Sequence, residues 1–197
     1  MALGHNELIF LYIKLNFEPM RKLSHPEIKA ERKDIEKIHE YKRNPIYVLC
    51  DNIRSIFNVG SVFRTSDGAF IEKVYLCGYT PYPPRKEIEK VALGATNSVP
   101  WEYHKDAIEV VKDLKKKGIK IAVLEITTEK NYYWNLTKAD FPICLIIGNE
   151  ISGVSKELID EADISFEIPM MGMKQSLNVS VAYGIAVYEM MRKLNFE

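Results

Sequence analysis

The sequence predicts an α/β domain with a mostly parallel sheet flanked by helices, and three observations carry that prediction. From Ile46 onward, short apolar runs rich in β-branched residues alternate with helical stretches, the pattern of parallel strands joined by crossover helices. The chain has 197 residues, 47% of them apolar, so it can bury a full core and sits near the size of one domain. Three segments then join strand ends to glycine or small polar residues, which is where α/β sheets place their ligands.

Residues 1–19 contain an apolar run with no basic segment before it and no small-residue cleavage pattern after it. They read as a leading arm or an added helix, not as a secretory signal. Residues 26–41 read as a highly charged helix with Ile28, Ile35 and Ile38 on one stripe, packed lightly on the α/β domain. The chain therefore divides into an N-terminal extension, 1–44, and a domain, 45–197. Strands are expected at 46–50, 74–77, 99–103, 120–125, 143–147 and, shorter, at 164–167. Helices are expected at 59–69, 106–117, 155–160 and 177–194. The last has the clearest periodicity, because Val179, Ala182, Tyr183, Ala186, Val187, Met190 and Met191 recur with helical spacing. Its inner face should be core or subunit interface. Residues 78–97 contain Pro81, Pro83 and Pro84 and are too irregular for a strand; they read as a long loop entering a short helix at 87–93.

The 27 basic and 27 acidic residues balance to a formal net charge of zero, so the whole-molecule field of many nucleic-acid binders is absent. Any RNA contact must come from a local patch. Basic residues cluster at 29–43, at Arg85, Lys86 and Lys90, and at 112–120, and each cluster also fits a solvated helix face. Cys50, Cys77 and Cys144 are odd in number, widely spaced and set in apolar runs, against both a disulfide framework and a zinc site. They read as core residues in a reducing cytoplasm. No window approaches the roughly 18 uninterrupted apolar residues of a membrane span, so a soluble, cytoplasmic protein is expected.

The first segment with chemistry is Asn58-Val59-Gly60-Ser61-Val62-Phe63-Arg64-Thr65, directly after the first strand. Asn58 can cap the helix, Gly60 permits close backbone approach, and Arg64 offers a guanidinium fork suited to a phosphate or carboxylate. A capped helix whose Arg64 makes an ordinary ion pair fits equally well. The second, 146–153, ends a buried strand in a turn with Gly148 and Gly153, where exposed amides could hold an adenosine and Glu150 could pair with Arg64. It also fits a plain strand-to-helix turn. It is not a dinucleotide fingerprint, and no Walker-type lysine comes after it. The third, 168–180, is a methionine-rich loop running into the polar start of the last helix. Ser176 there can be a helix cap, and Asn178 and Ser180 can face a cleft.

Together, in this order and spacing, Asn58-x-Gly60-x-x-x-Arg64-Thr65, Gly148-Asn149-Glu150-x-x-Gly153 and Ser176-Leu177-Asn178-Val179-Ser180 resemble the three motifs of the SpoU/TrmH family, within the SPOUT superfamily of RNA methyltransferases. The resemblance covers residues 46–194. It implies an S-adenosylmethionine-dependent RNA 2'-O-ribose methyltransferase. It also implies a deep C-terminal trefoil knot, which periodicity alone would never suggest, and a homodimer whose active site is completed across the interface. By position, it implies backbone contacts to S-adenosylmethionine at Leu124, Gly148, Ile168 and Leu177, with Glu125 and Met170 close by. The implied catalytic group is Asn58, Arg64, Glu150, Ser176 and Asn178. Ser66 and Asp67 depart from residues common in the family, which bears on substrate detail rather than on chemistry.

Methyl transfer from a sulfonium is an in-line displacement that needs no metal, so no metal site is expected. A ribose hydroxyl is a poor nucleophile until its proton has somewhere to go. Arg64 is expected to anchor an RNA phosphate and ease the developing alkoxide; whether a guanidinium with a pKa above about 12 also takes the proton stays open. Glu150 would orient Arg64, Asn58 would position the ribose or the arginine, and Ser176 with Asn178 would shape the pocket. The loop at 78–97, with Arg85 and Lys86, is the expected RNA-facing surface. With about 45 residues before the first strand, no separate RNA-recognition domain of the kind several ribosomal-RNA members carry is expected there, which favours tRNA over rRNA. Two rival readings are a base methyltransferase of the same superfamily and a catalytically silent RNA-binding knotted protein. The Ser176–Ser180 motif stands against the first, and the joint presence of Arg64, Glu150 and Asn178 against the second.

Overall fold

The structure, a computed structural model, describes residues 20–196. The leading arm expected at 1–19 lies outside the described residues. Contacts group the chain into two compact units, one ending at Glu40 and the other beginning at Tyr41.

In the first unit the single charged helix does not form. Helix α1 (His25–Ala30) stops after 6 residues, and a separate 3₁₀ turn covers Ile35–Glu40. Ser24 opens α1 with its amide and hydroxyl on Glu27, at 2.8 and 2.6 Å. The second turn starts afresh where Asp34 accepts from the Glu36 amide at 3.0 Å, a side-chain bond that competes with helical continuation. Neither element buries a residue, so the Ile28, Ile35 and Ile38 stripe lacks the packed face that sustains short helices.

The second unit is a six-stranded sheet in the order β3-β2-β1-β5-β4-β6, with every strand pair parallel. The strands are β1 (Asn44–Asp51), β2 (Ile71–Cys77), β3 (Trp101–His104), β4 (Lys120–Leu124), β5 (Ile143–Ile147) and β6 (Ile164–Phe166). The helices are α2 (Ile56–Gly68), α3 (Lys86–Ala92), α4 (Ala95–Ser98), α5 (Ala107–Lys116), α6 (Lys156–Asp160) and α7 (Val179–Phe196). The expected strands and crossovers are all present, with edges moved by up to three residues. β1 begins early because Asn44 is tied to the end of α2, its amide on the Phe70 carbonyl and its side chain on that of Ala69. The short α4 begins inside the stretch read as irregular loop and ends one residue past it.

Central strands of a parallel sheet are covered on both faces, and their period of two sorts these residues into two cores. Ile46, Val48 and Cys50 of β1, with Ile143, Leu145 and Ile147 of β5, face the layer holding Val59, Phe63, Tyr183 and Val187. Leu49, Cys144 and Ile146 face the opposite layer, with Val110, Val111, Leu114 and Leu158. In α7 the buried positions Tyr183, Ala186, Val187 and Met190 fall on one face, which packs on α2. The Tyr183 hydroxyl bonds the buried Ser66 hydroxyl at 2.7 Å. All three cysteines are buried and free, and burial pushes the Cys77 thiol up to about 12, which removes it as a nucleophile near neutral pH. Among the described residues, no helix is long and apolar enough to cross a membrane.

Candidate functional site

The loops leaving β4, β5 and β6 enclose a cavity of about 290 Å³ at the C-terminal end of the sheet, where parallel α/β sheets bind ligands. Leu124, Glu125, Gly148, Ile168, Met170 and Leu177, the six residues that the motif resemblance points to for the methyl donor, all line it. So do Glu150, Ser176 and Asn178. Gly148 is there because nothing larger fits: a Cβ would lie 2.2 Å from Gly153 C and from Val154 N, both backbone atoms of the returning turn. Gly148→Ala should therefore lower stability by about 1–3 kcal/mol, as overpacking against backbone does, and weaken donor binding at least about tenfold. Denaturant midpoints and calorimetric titration with S-adenosylmethionine check both effects.

The cavity rim is a hydrogen-bonded chain centred on Glu150. Its carboxylate accepts from the backbone amides of Arg54 at 2.8 Å and Ser55 at 2.9 Å, and from the Asn58 side chain at 2.8 Å. Asn178 in turn donates to the Asn58 side-chain oxygen at 3.1 Å, so all three motifs meet through Glu150, Asn58 and Asn178. Burial alone would raise the Glu150 carboxyl, but these donors outweigh it and hold it below its ordinary value of 4.5. A lowered carboxyl contributes stability that is fully present above the ordinary value and lost as pH falls through the folded one. The loss of stability below pH 4.5 should accordingly be smaller in Glu150→Gln than in the native chain, read by urea midpoints across that range.

Two local assignments differ from the sequence reading. Asn58 does not cap α2; Ser55 does, accepting from the Asn58 amide at 3.3 Å, and Asn58 is left free to reach Glu150. Nor is Ser176 the cap of α7. Asn178 accepts from the amide of Ser180 at 2.9 Å and that of Val181 at 3.4 Å, while Ser176 stays on the cavity wall. Within one chain the expected pair does not form: Glu150 accepts from Arg54, Ser55 and Asn58, and Arg64 does not reach it. Arg64 lies six residues beyond Asn58, about 9 Å along α2, exposed and off the cavity lining. Arg85 and Lys86 are also exposed and line no part of the cavity.

The sequence reading left two structural residues of the site unassigned. Asn149 is buried, and its oxygen takes the amides of Ile151 at 2.8 Å and Ser152 at 3.0 Å, which shapes the turn after β5. Asp51, buried at the end of β1, accepts from the Ser155 amide at 2.8 Å and so pins the start of α6. A polar residue closing an otherwise apolar strand was the available signal. Glu125 completes the frame by accepting from the amides of Ile126 at 2.8 Å and Val154 at 3.1 Å.

Residues 45–188 match the SpoU rRNA Methylase family, more than half of the chain. The chain belongs to the SpoU/TrmH family. A tRNA (guanosine(18)-2'-O)-methyltransferase of Aquifex aeolicus is 32% identical over 164 residues, which cover 82% of this chain and 75% of the relative. A chain from Staphylococcus haemolyticus assigned to the TrmH family is 30% identical, but the match spans 58% of its length. The crystal structure of an A. aeolicus TrmH/SpoU tRNA modifying enzyme superposes with a TM-score of 0.72 at 30% identity, covering 81% of each chain. An AdoMet-bound rRNA methyltransferase from Sinorhizobium meliloti gives 0.72 at 25% identity, over 81% of this chain and 61% of that one.

The A. aeolicus relative carries the name of a tRNA 2'-O-methyltransferase, and the S. meliloti neighbour holds AdoMet, that is, S-adenosylmethionine. The cavity suits such a molecule on chemical grounds. Leu124, Ile147, Phe166 and Val179 give it apolar walls for an adenine ring, whereas Glu125, Glu150 and Glu167 set carboxylates around it for a ligand with a sulfonium and an ammonium.

Proposed function

We propose that this SpoU-type protein methylates a ribose 2'-hydroxyl of tRNA, with the cavity behind β4, β5 and β6 as its donor site. The observation that carries this reading is the convergence of all six donor-site residues on one cavity, whose rim joins the three motifs through Glu150, Asn58 and Asn178. When bound there, S-adenosylmethionine supplies an electrophilic methyl carbon. The residues of the chain do the rest: Leu124, Gly148, Ile168 and Leu177 offer backbone contacts, Glu125 and Met170 flank them, and Ser176 and Asn178 close the wall toward the acceptor. Glu150 acts as a positioning residue that holds the Ser55 cap and Asn58 in place. Arg64 anchors the phosphate beside the reacting ribose and disperses the charge of the forming alkoxide. Residues 45–197 serve as the methyltransferase domain, with 1–44 as its extension.

Because Arg64 stands off the cavity of its own chain, it enters the site across a homodimer interface. The exposed face of α2 carries Phe57, Ser61 and Arg64 at helical spacing, and α7 exposes Val181 and Tyr188 beside it. These large apolar groups are 57%, 51% and 46% exposed for Phe57, Val181 and Tyr188, a strip suited to a second copy. The chain is also proposed to be knotted. What supports this is that Asn131 and Tyr133, in the loop between β4 and β5, exchange backbone bonds of 2.8 and 3.2 Å with Glu167, just past β6.

Incubating the protein with methyl-labelled donor and, separately, tRNA and ribosomal RNA tests the substrate class. Label in tRNA is expected. Label confined to ribosomal RNA would overturn the tRNA assignment, and label in neither would overturn the proposed activity.

A further inference from the structure

Tyr79, Tyr82 and Tyr103 form an aromatic patch beside the cavity that the methyl-transfer chemistry does not use. Tyr82 and Tyr103 have ring centroids 4.3 Å apart and planes inclined by 34°. They are 40% and 39% exposed, and Tyr79 is 62% exposed, so these rings present a surface to water instead of filling a core. Tyr79 and Tyr82 lie in the loop leaving β2, and Tyr103 lies in the neighbouring β3.

The patch is held in place and tied to the site. The Tyr103 hydroxyl donates to the Gly78 carbonyl at 2.8 Å, and the Tyr79 amide donates to the Asn52 side chain at 3.2 Å. Asn149, on the cavity wall, donates its side-chain amide to the Tyr79 hydroxyl at 2.6 Å. Cations lie close to the rings along the chain: Arg85 ends the same loop and Lys86 opens α3, Lys105 lies just past Tyr103, and Arg54 adjoins Ile53, whose amide donates to Thr80 at 3.0 Å. All four are exposed, and none forms an ion pair with a described residue. In a chain of zero net charge, unpaired cations are thus concentrated next to open rings. Rings that can stack, with exposed cations a few residues away, match an unpaired nucleobase flanked by phosphates; stacking works on any base face and the cations track the backbone. A polyanion answers those cations better than an uncharged protein surface does.

We propose that Tyr82 and Tyr103 are a stacking platform for an unpaired base of the RNA substrate, with Arg54, Arg85 and Lys86 on neighbouring phosphates. β3, which carries Tyr103, lies three strands from β5, so the platform is about 15 Å from the cavity wall, a few base steps from the methylated ribose. The inference rests on the RNA-methyltransferase reading above.

The test is equilibrium binding of unfractionated tRNA and of ribosomal RNA by Tyr82→Ala, Tyr103→Ala and the corresponding phenylalanine variants, with KM for RNA and kcat measured alongside. Thermal midpoints and donor affinity monitor folding. Each alanine variant is expected to weaken RNA binding and raise the RNA KM about tenfold, with kcat and donor affinity unchanged, and phenylalanine is expected to restore binding to within about twofold. Alanine variants that bind as tightly as the native chain, or phenylalanine variants as weak as alanine, would overturn the proposal. RNA bound through these tyrosines but never methylated would overturn the proposed activity and leave the platform standing. Methylation with tyrosine-independent binding would do the reverse.

Discussion

Arg64→Ala is expected to lower RNA methylation by about 10³-fold while leaving S-adenosylmethionine affinity within about twofold of the native value. The asymmetry comes from position. Arg64 is exposed on α2, outside the cavity lining, so its removal takes nothing from the donor's walls. Its guanidinium is therefore available to a phosphate and to the charge that develops in the transition state. Lysine should recover little, because a point charge does not reproduce a planar fork on phosphate. Mixing Arg64→Ala with Gly148→Ala chains adds a sharper result. If Arg64 serves the partner's cavity, each mixed dimer holds one intact site, and two impaired preparations should regain activity together. Native turnover by Arg64→Ala, or loss of donor binding in it, would remove the assigned role.

Glu150→Ala should reduce kcat by about 10²-fold, the scale on which a misplacement of about 1 Å acts on a reacting pair. One carboxylate holds the Arg54 and Ser55 amides and the Asn58 side chain, and through Asn58 it reaches Asn178. Removing it leaves three donors without their acceptor and frees the start of α2 from the loop after β5. Glutamine should be nearly as poor, since its amino group would face donors. Asn58→Ala combined with Glu150→Ala should cost less than the sum of the two, because both act through one chain of bonds. Additive losses measured in single-turnover assays would contradict that coupling.

The sheet was legible because its strands are covered on both faces: Ile46, Val48 and Leu49, like Ile143, Leu145 and Ile146, are apolar without interruption. The cavity was legible because the motif residues sit at strand ends, which the topology brings together. What sequence could not rank was competition for the same hydrogen bonds. Asn58 and Ser55 can both cap α2, and only the fold shows that Glu150 claims the Asn58 side chain. For the same reason, charge alone suggested pairing Arg64 with Glu150, whereas within one chain three neutral donors occupy the carboxylate, and they lie on the turn before α2 and on its first turn. The charged stretch before the domain was misjudged for a different reason. Its isoleucine stripe marks helical spacing, but no buried face sustains the helix, and Asp34 restarts the chain.

The central claim is that a ribose hydroxyl is the acceptor at the cavity bounded by Gly148, Glu150 and Asn178. Its most direct test is nucleoside mass spectrometry of RNA treated with native protein and a donor carrying a deuterated methyl group. The account predicts the heavy methyl on a ribose 2'-oxygen, as a 2'-O-methylnucleoside whose free base is unlabelled, and no such product with Arg64→Ala. A heavy methyl on the base, or RNA left without label, would contradict it.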